Sequence, residues 1–296
     1  MSHVFVNGPA SWNTLVEVEA LPDPVSQTIF ASGHLDGLGG TSAGKAVSLA
    51  ALGVDVVLQT VLGDDEHGSL VRAALAHDRI RLQVVEASTG LTERHLNLMA
   101  ADGGRLSIYL ELPSAAPLAD PAPGLRGAQA AVLDLAASSL PLIAAAKTLG
   151  VPVWCDVHDD DGHQDFQRPF ADGADVVVVS EARLDDPRAY LVDRVSRGAR
   201  LAVCTRGARG ALALDAQGWI EVGPAPVGLV VDTNGAGDGF VAGMIASHLA
   251  GGTTLESLAL GAATGAIAVT TTELGARSAT PERAAALARR VDVRRV

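Results

Sequence analysis

Four apolar runs decide the fold of this chain: Ala130-Ala131-Val132-Leu133-Asp134-Leu135, Val151-Pro152-Val153-Trp154-Cys155-Asp156, Ala174-Asp175-Val176-Val177-Val178-Val179 and Leu201-Ala202-Val203-Cys204-Thr205. None alternates between apolar and polar residues, as a strand with one wet face would. Near-continuous apolar strands are those buried on both faces. Stretches of helical spacing, such as 139–149 and 187–196, lie between them. Buried strands alternating with helices predict a mostly parallel central sheet with helices on both sides, a three-layer αβα fold.

The flanking sequence extends this picture. Val4-Phe5-Val6 reads as a first strand that runs into a loop at Gly8-Pro9. Residues 11–37 read as irregular, punctuated by Pro22, Pro24 and Gly33, with a short strand at 27–31. A helix is expected over 41–52, stopped by Gly53, then a strand over 54–61 and a helix over 68–77. Residues 93–112 alternate around Asp102-Gly103-Gly104, the pattern of a hairpin with a glycine turn. The half-buried insertions at about 13–36 and 90–112 suggest a small β lid on a single domain spanning 1–296. Two helices, about 237–249 and 254–272, close the pattern.

Composition narrows the function classes. The 22 basic and 34 acidic residues give a formal charge of −12 with no Lys/Arg cluster. Nucleic-acid and anionic-membrane partners are therefore not expected. No apolar run approaches the ~20 residues that a membrane-spanning helix needs. Cys155 and Cys204 both sit in strand-like runs, as buried thiols of a reducing compartment do. No signal peptide is legible at the N-terminus, and a cytoplasmic protein is the expectation.

The segment Asp232-Thr233-Asn234-Gly235-Ala236-Gly237-Asp238 carries the chemistry. Val230-Val231 before it reads as a strand and Phe240 onward as a helix. A glycine turn lets backbone N–H groups face an anion, and a helix start adds its own unpaired donors and positive dipole end. Together they form a site for a phosphoryl group or an oxyanion. Asp238 at that position either caps the helix or acts as a general base toward a substrate hydroxyl.

The same segment resembles the D-T-x-G-A-G-D signature of the ribokinase-like (PfkB) carbohydrate kinases. The resemblance implies a ribokinase-like fold and transfer of the ATP γ-phosphate to a hydroxyl of a sugar or sugar-like alcohol. It implies Asp238 as the base and the amides of Gly235, Ala236 and Gly237 as the anion hole. Gly39-Gly40 and the helix after it are similar to the family's second signature, in which paired glycines approach the sugar. Asn13 lies where the family places an acid or amide that holds sugar hydroxyls; a turn-forming Asn is the competing reading. Lys45 either reaches the substrate or is a solvated helix residue. Thr205-Arg206-Gly207-Ala208-Arg209-Gly210 resembles the family's T-x-G-x-x-G nucleotide loop, which implies ATP contacts at Thr205, Gly207 and Gly210; a plain hairpin is the alternative. Ala262 and Gly265 lie on a late helix that in the family packs along the adenine. Mg²⁺ is implied as the partner of the phosphates. Some members also bind K⁺ beside the loop, with the counterpart of Asp232 as a ligand.

Three positions depart from the family pattern. Gly44 stands where an Asn is usual, and Ser180 and Arg183 stand where the family's N-x-x-E carries Asn and Glu. Two further readings follow: a nucleoside kinase of the same fold, and a nucleotide- or sugar-binding sensor with weak or lost catalysis. The acidic run from Asp156 to His163 reads as a solvated loop or as a neighbour of substrate or metal. Exposed strand edges in a lid could also pair two copies into a homodimer.

Overall fold

The computed structural model describes residues 2–101, 103–117, 120 and 123–296. β1 (His3–Asn7) leads to β2 (Ser11–Val18), β3 (Gly33–Gly39), α1 (Thr41–Ala51), β4 (Val56–Leu62), α2 (Glu66–Ala74) and β5 (Ile80–Glu86). β6 (Arg94–Ala100), β7 (Arg105–Glu111), β8 (Ala128–Leu133), α3 (Leu140–Leu149), β9 (Val153–Asp156), α4 (Arg168–Gly173) and β10 (Val176–Ser180) follow. The chain ends with α5 (Pro187–Ser196), β11 (Leu201–Thr205), β12 (Ala211–Asp215), β13 (Gly218–Val222), α6 (Ala236–Leu249), α7 (Thr254–Ala268), α8 (Pro281–Ala288) and β14 (Val293–Arg295).

Ten strands form one sheet in the order β14-β13-β12-β11-β10-β9-β8-β1-β4-β5. Every pairing from β11 to β5 is parallel, and the β12, β13 and β14 edge is antiparallel. The four runs read as doubly buried strands are the centre of this sheet. Its two faces bury separate apolar clusters. One packs Leu49, Phe240, Met244 and Leu258 from α1, α6 and α7. The other packs Leu142, Phe170 and Leu191 from α3, α4 and α5. Both cysteines are buried and unpaired. Among the described residues no helix is long and apolar enough to cross a membrane.

A second sheet, in the order β3-β2-β6-β7, stands apart from the first. Its β2–β6 pairing is parallel and the outer two are antiparallel. The β6–β7 hairpin forms as its alternation predicts, although Asp102 of its turn lies outside the described residues. β2, in contrast, falls where the sequence reads as irregular. Its buried polar residues are Ser11 and Asn13, the latter lining a cleft between the sheets, and they alternate with Trp12, which packs on the core, and with Val16 and Val18 further along. The strand expected at 27–31 does not form, and its apolar residues find no core to pack on. Ile29 and Phe30 there are exposed. Val230-Val231 is not a strand either; the Val231 N–H donates to the Val269 carbonyl and both side chains are exposed.

Candidate active site

Parallel strands end together, so their carboxyl ends form a ledge where α/β sheets bind ligands. Asp134 follows β8, and Asp156, Ser180 and Thr205 end β9, β10 and β11. Facing that ledge, Gly235 adopts a left-handed φ of 75° as the N-cap of α6, with no side chain capping the helix. Gly40, with φ 90°, is the N-cap of α1. A Cβ at Gly40 would lie 2.4 Å from the Pro9 carbonyl, so only glycine lets the chain pass from the second sheet into α1.

A cleft of about 740 Å³ separates the two sheets. Its floor holds residues 233–238, Asp156, Ser180 and Thr205, and its walls include Asn13, Gly39 and Gly40. Asp238, Gly235, Ala236, Gly237, Asn13, Gly39, Gly40 and Thr205 therefore come together as the motif reading expects. Asn13 is buried, and its carbonyl oxygen has no hydrogen-bond partner. A Cβ at Gly39 would strike the Asn13 amide at 2.0 Å, so Gly39 leaves room for that side chain. An unpaired buried acceptor facing a cleft is costly unless a ligand supplies the donor.

Asp238 is buried in the first turn of α6. Its Oδ1 accepts from Thr41 Oγ1 at 2.5 Å and from Lys45 Nζ at 2.9 Å. Burial raises its pKa above the ordinary carboxylate value, against the opposing pull of Lys45 and the Thr41 hydrogen bond. Lys45 itself is neither solvated nor open to the cleft. The helical period of α1 turns it inward, fully buried, to lie 3.0 Å from Asp134 Oδ1 and 3.5 Å from Asp156 Oδ2. Burial would lower its pKa, but the three carboxylates outweigh that and raise it.

Other predicted positions are placed differently. Gly210 packs into the fold: a Cβ there would meet the Val222 carbonyl at 2.0 Å, so its role is the close approach of β12 to the end of β13. Gly207, with φ 56°, faces open space. Gly265 is buried against α6, where a Cβ would come 2.9 Å from the Ala236 carbonyl, and it presents nothing to a nucleotide. Ala262 is half-buried against the core. Ala266, one turn further along α7, and Thr270 just past its end line a second groove of about 340 Å³, with Val227, Leu287, Arg283 and Arg290.

The acidic run from Asp156 to His163 divides: Asp156, His158 and Asp159 line the cleft, and Asp160 and Asp161 brace the fold. Asp160 accepts from the Tyr190 hydroxyl at 2.8 Å, and Asp161 pairs with Arg183 at 3.0 Å. Glu181 pairs with Arg209. Asp232 accepts from the Asn234 N–H at 2.9 Å. Among the described residues no group of three His, Cys, Asp or Glu side chains is arranged to hold a metal ion. The acids nearest α6 are committed to Lys45, so a divalent ion here would be held chiefly by phosphate and water, as Mg²⁺ commonly is.

Sequence reasoning missed two groups. Asp134 was hidden inside an apolar run, although a buried carboxylate in such a run is itself a signal of a partner. The second sheet also contributes Glu93, His95, Asn97, Arg105, Ser107 and Tyr109 to the cleft. His95 pairs with Glu93 at 2.8 Å and meets the Tyr109 ring at a tilt of 49°, with ring centroids 4.0 Å apart. Their alternation marked a hairpin, with no sign of which face held the ligand.

The family profile described as "pfkB family carbohydrate kinase" matches residues 31–282. The acarbose 7(IV)-phosphotransferase of an Actinoplanes species is 34% identical over 276 residues, covering 90% of this chain and 92% of the relative. The solved structure of a microbiome-derived acarbose kinase superposes with a TM-score of 0.84 at 29% identity, covering 97% of this chain and 99% of that one. Ribokinase from Arabidopsis thaliana, solved with ribose and ATP, has the same fold, with a TM-score of 0.75 at 24% identity over 97% of this chain and 98% of that one.

Proposed function

The chain belongs to the PfkB family of carbohydrate kinases, and from that premise we propose that it transfers the γ-phosphate of ATP to a hydroxyl of a sugar or sugar-like alcohol, with Asp238 as general base. The observation that carries this reading is Asp238 on the floor of the cleft, at an uncapped helix N-terminus, with the unpaired Asn13 carbonyl in the wall of the same cleft. Asn13 Oδ1 would accept from one acceptor hydroxyl. A second hydroxyl would give its proton to Asp238 as its oxygen attacks the γ-phosphorus. The bond from that phosphorus to the β-phosphate oxygen breaks, and ADP leaves with the electron pair. The N–H groups of Gly235 and Gly237 would meet the charge that gathers on the transferring group, joined by that of Ala236 if it leaves the Thr233 carbonyl it now donates to at 3.4 Å.

The remaining ligand contacts follow the same logic. The apolar groove beside Ala266 and Leu287 would take the adenine, with Thr205 at the end of β11 toward the phosphates. Mg²⁺ accompanying the nucleotide supplies charge neutralisation. Asp232, with one carboxylate oxygen engaged by Asn234, is the residue that would hold K⁺. The second sheet acts as a lid that excludes water. A second copy pairing along its edge strand β7 belongs to the same proposal. His95, Asn97, Arg105 and Tyr109 suit a polyhydroxylated acceptor, and the acarbose-acting relatives put an oligosaccharide-like glycoside first among candidates.

The test is a panel of acceptors, namely acarbose, ribose, fructose, ribose 1-phosphate, fructoselysine and nucleosides, read as acceptor-dependent ADP formation. One or more carbohydrates should be phosphorylated. Asp238→Ala should lower kcat by about 10²–10⁴-fold while ATP binding is retained. Unchanged turnover in that variant would sink the assignment of the base.

A further inference from the structure

Gly44 departs from the family pattern with Lys45 beside it, and one arrangement involves both. A Cβ at residue 44 would lie 2.4 Å from Asp238 Oδ2 and 2.9 Å from its Cγ. The carboxylate thus occupies the space that a side chain at 44 would fill. One residue on, Lys45 reaches the other oxygen, Oδ1. It is the one cation in ion-pair contact with Asp238 among the described residues. The same ammonium donates to Thr41, whose hydroxyl in turn donates to Asp238.

The charge around this contact is unbalanced. α1 contributes Thr41, Ser42 and Lys45. Asp134 follows β8, and α6 contributes Asp238. The end of β9 and the loop after it bring Asp156, the buried thiol Cys155, and His158, whose Nδ1 is 3.7 Å from Asp156. Burial and the neighbouring Asp134 and Asp156 push the Cys155 thiol pKa up, so it stays neutral. Ser42 donates to Asp134 at 2.6 Å. Three buried carboxylates share one buried ammonium. A buried carboxylate without a counter-charge takes up a proton, and a protonated Asp238 cannot accept one from a substrate.

We propose that Lys45 is the positioning residue of this reaction: it anchors the Asp238 carboxylate in the space left by Gly44 and supplies the charge that keeps the base anionic. This rests on Asp238 being the base. Removing the ammonium lets the carboxylate turn away from α1 and favours its neutral form, so the acid limb of the rate profile moves to higher pH.

The test is the pH dependence of kcat, with both KM values, for wild type, Lys45→Met, Lys45→Met/Asp134→Asn and Gly44→Ala. The double variant removes one ammonium and one carboxylate together, so the cluster keeps its formal charge and the fold a fair chance. The acid limb should rise by about one pH unit or more in both Lys45 variants. That is about tenfold in kcat per unit on the acid side, with recovery at high pH and KM for ATP unchanged. Gly44→Ala should lower kcat at least about tenfold with the fold intact, since its Cβ displaces the carboxylate. A ¹³C-carboxyl NMR titration of Asp238 without substrates, its signal assigned with Asp238→Asn, should show the same upward displacement. An unmoved acid limb and carboxyl titration in the double variant, or full kcat in Gly44→Ala, would overturn the proposal. If the wild type phosphorylates nothing, the kinase reading fails, and the NMR titration still decides whether Lys45 holds the charge of Asp238.

Discussion

Asp65 satisfies three donors from two segments at once. As the N-cap of α2 it accepts from the Gly68 N–H at 2.8 Å, and it also accepts from Thr92 through both N–H (3.1 Å) and hydroxyl (2.6 Å). It thereby ties the start of α2 to the loop that enters the second sheet. Burial would raise its pKa, but the Thr92 and Gly68 hydrogen bonds outweigh that and hold it below the ordinary carboxylate value. A group whose folded pKa is depressed contributes stability above its unfolded pKa and loses it as pH falls through the folded one. Asp65→Ala should cost about 2 kcal/mol near neutral pH, from a lost cap and two stranded donors. In urea unfolding, the gap to wild type should close as pH falls below about 4. A gap independent of pH would mean the carboxylate charge is not what Thr92 and Gly68 hold. The sequence shows Asp65 only as an acidic residue before a helix, because its partner Thr92 is 27 residues away. The same holds for Lys45 and Asp134, whose meaning lies in each other.

At the level of elements, α6 and α7 approach backbone to backbone. A Cβ at Gly243 would meet the Leu260 carbonyl at 2.5 Å and Thr264 Oγ1 at 2.6 Å, and one at Gly261 would meet Met244 and the Phe240 carbonyl. That contact sets where the first turn of α6, and with it Asp238, stands over the sheet. Gly243→Ala gains up to ~1 kcal/mol of helix propensity but overpacks the interface, at a cost of about 1–3 kcal/mol. A net drop in the urea midpoint with an unchanged m value is expected, together with lower kcat as α6 shifts. A more stable variant would show that the helices can separate freely. Continuous apolar runs and helix-period segments made the central strands and these helices legible, since their burial is written in composition. β2 was harder to read: Trp12, Val16 and Val18 alternate with Ser11, Asn13 and Glu17, but Leu15 breaks the period and the buried Asn13 serves the cleft instead of the core. The expected strand at 27–31 has apolar residues, yet it neither pairs nor packs, and Ile29 and Phe30 are exposed. A local apolar pattern does not say whether a neighbour is there to meet it.

For the molecule as a whole, the question is whether the two sheets act as one machine. The chain passes between the two sheets four times, at Gly8–Ala10, through Gly40 and α1, between β5 and β6, and between β7 and β8, and a cleft of about 740 Å³ lies between them. Ordering such a cleft costs conformational entropy, which each ligand would have to offset. Ligands that bind the folded state raise stability by linkage, about 2.7 kcal/mol at a hundredfold excess over Kd. If the acceptor touches both Asn13 of the second sheet and Asp238 of the first, the first ligand to bind removes ordering cost for the second. An acceptor found in the panel and a non-hydrolysable ATP analogue, added together, should then raise Tm by more than the sum of their separate shifts. Arg105→Ala, which touches only the second sheet's face of the cleft, should reduce that excess while leaving the shift from the ATP analogue alone unchanged. Strictly additive shifts would mean that the second sheet binds the acceptor without closing over the nucleotide, and exclusion of water would then have to come from the acceptor itself.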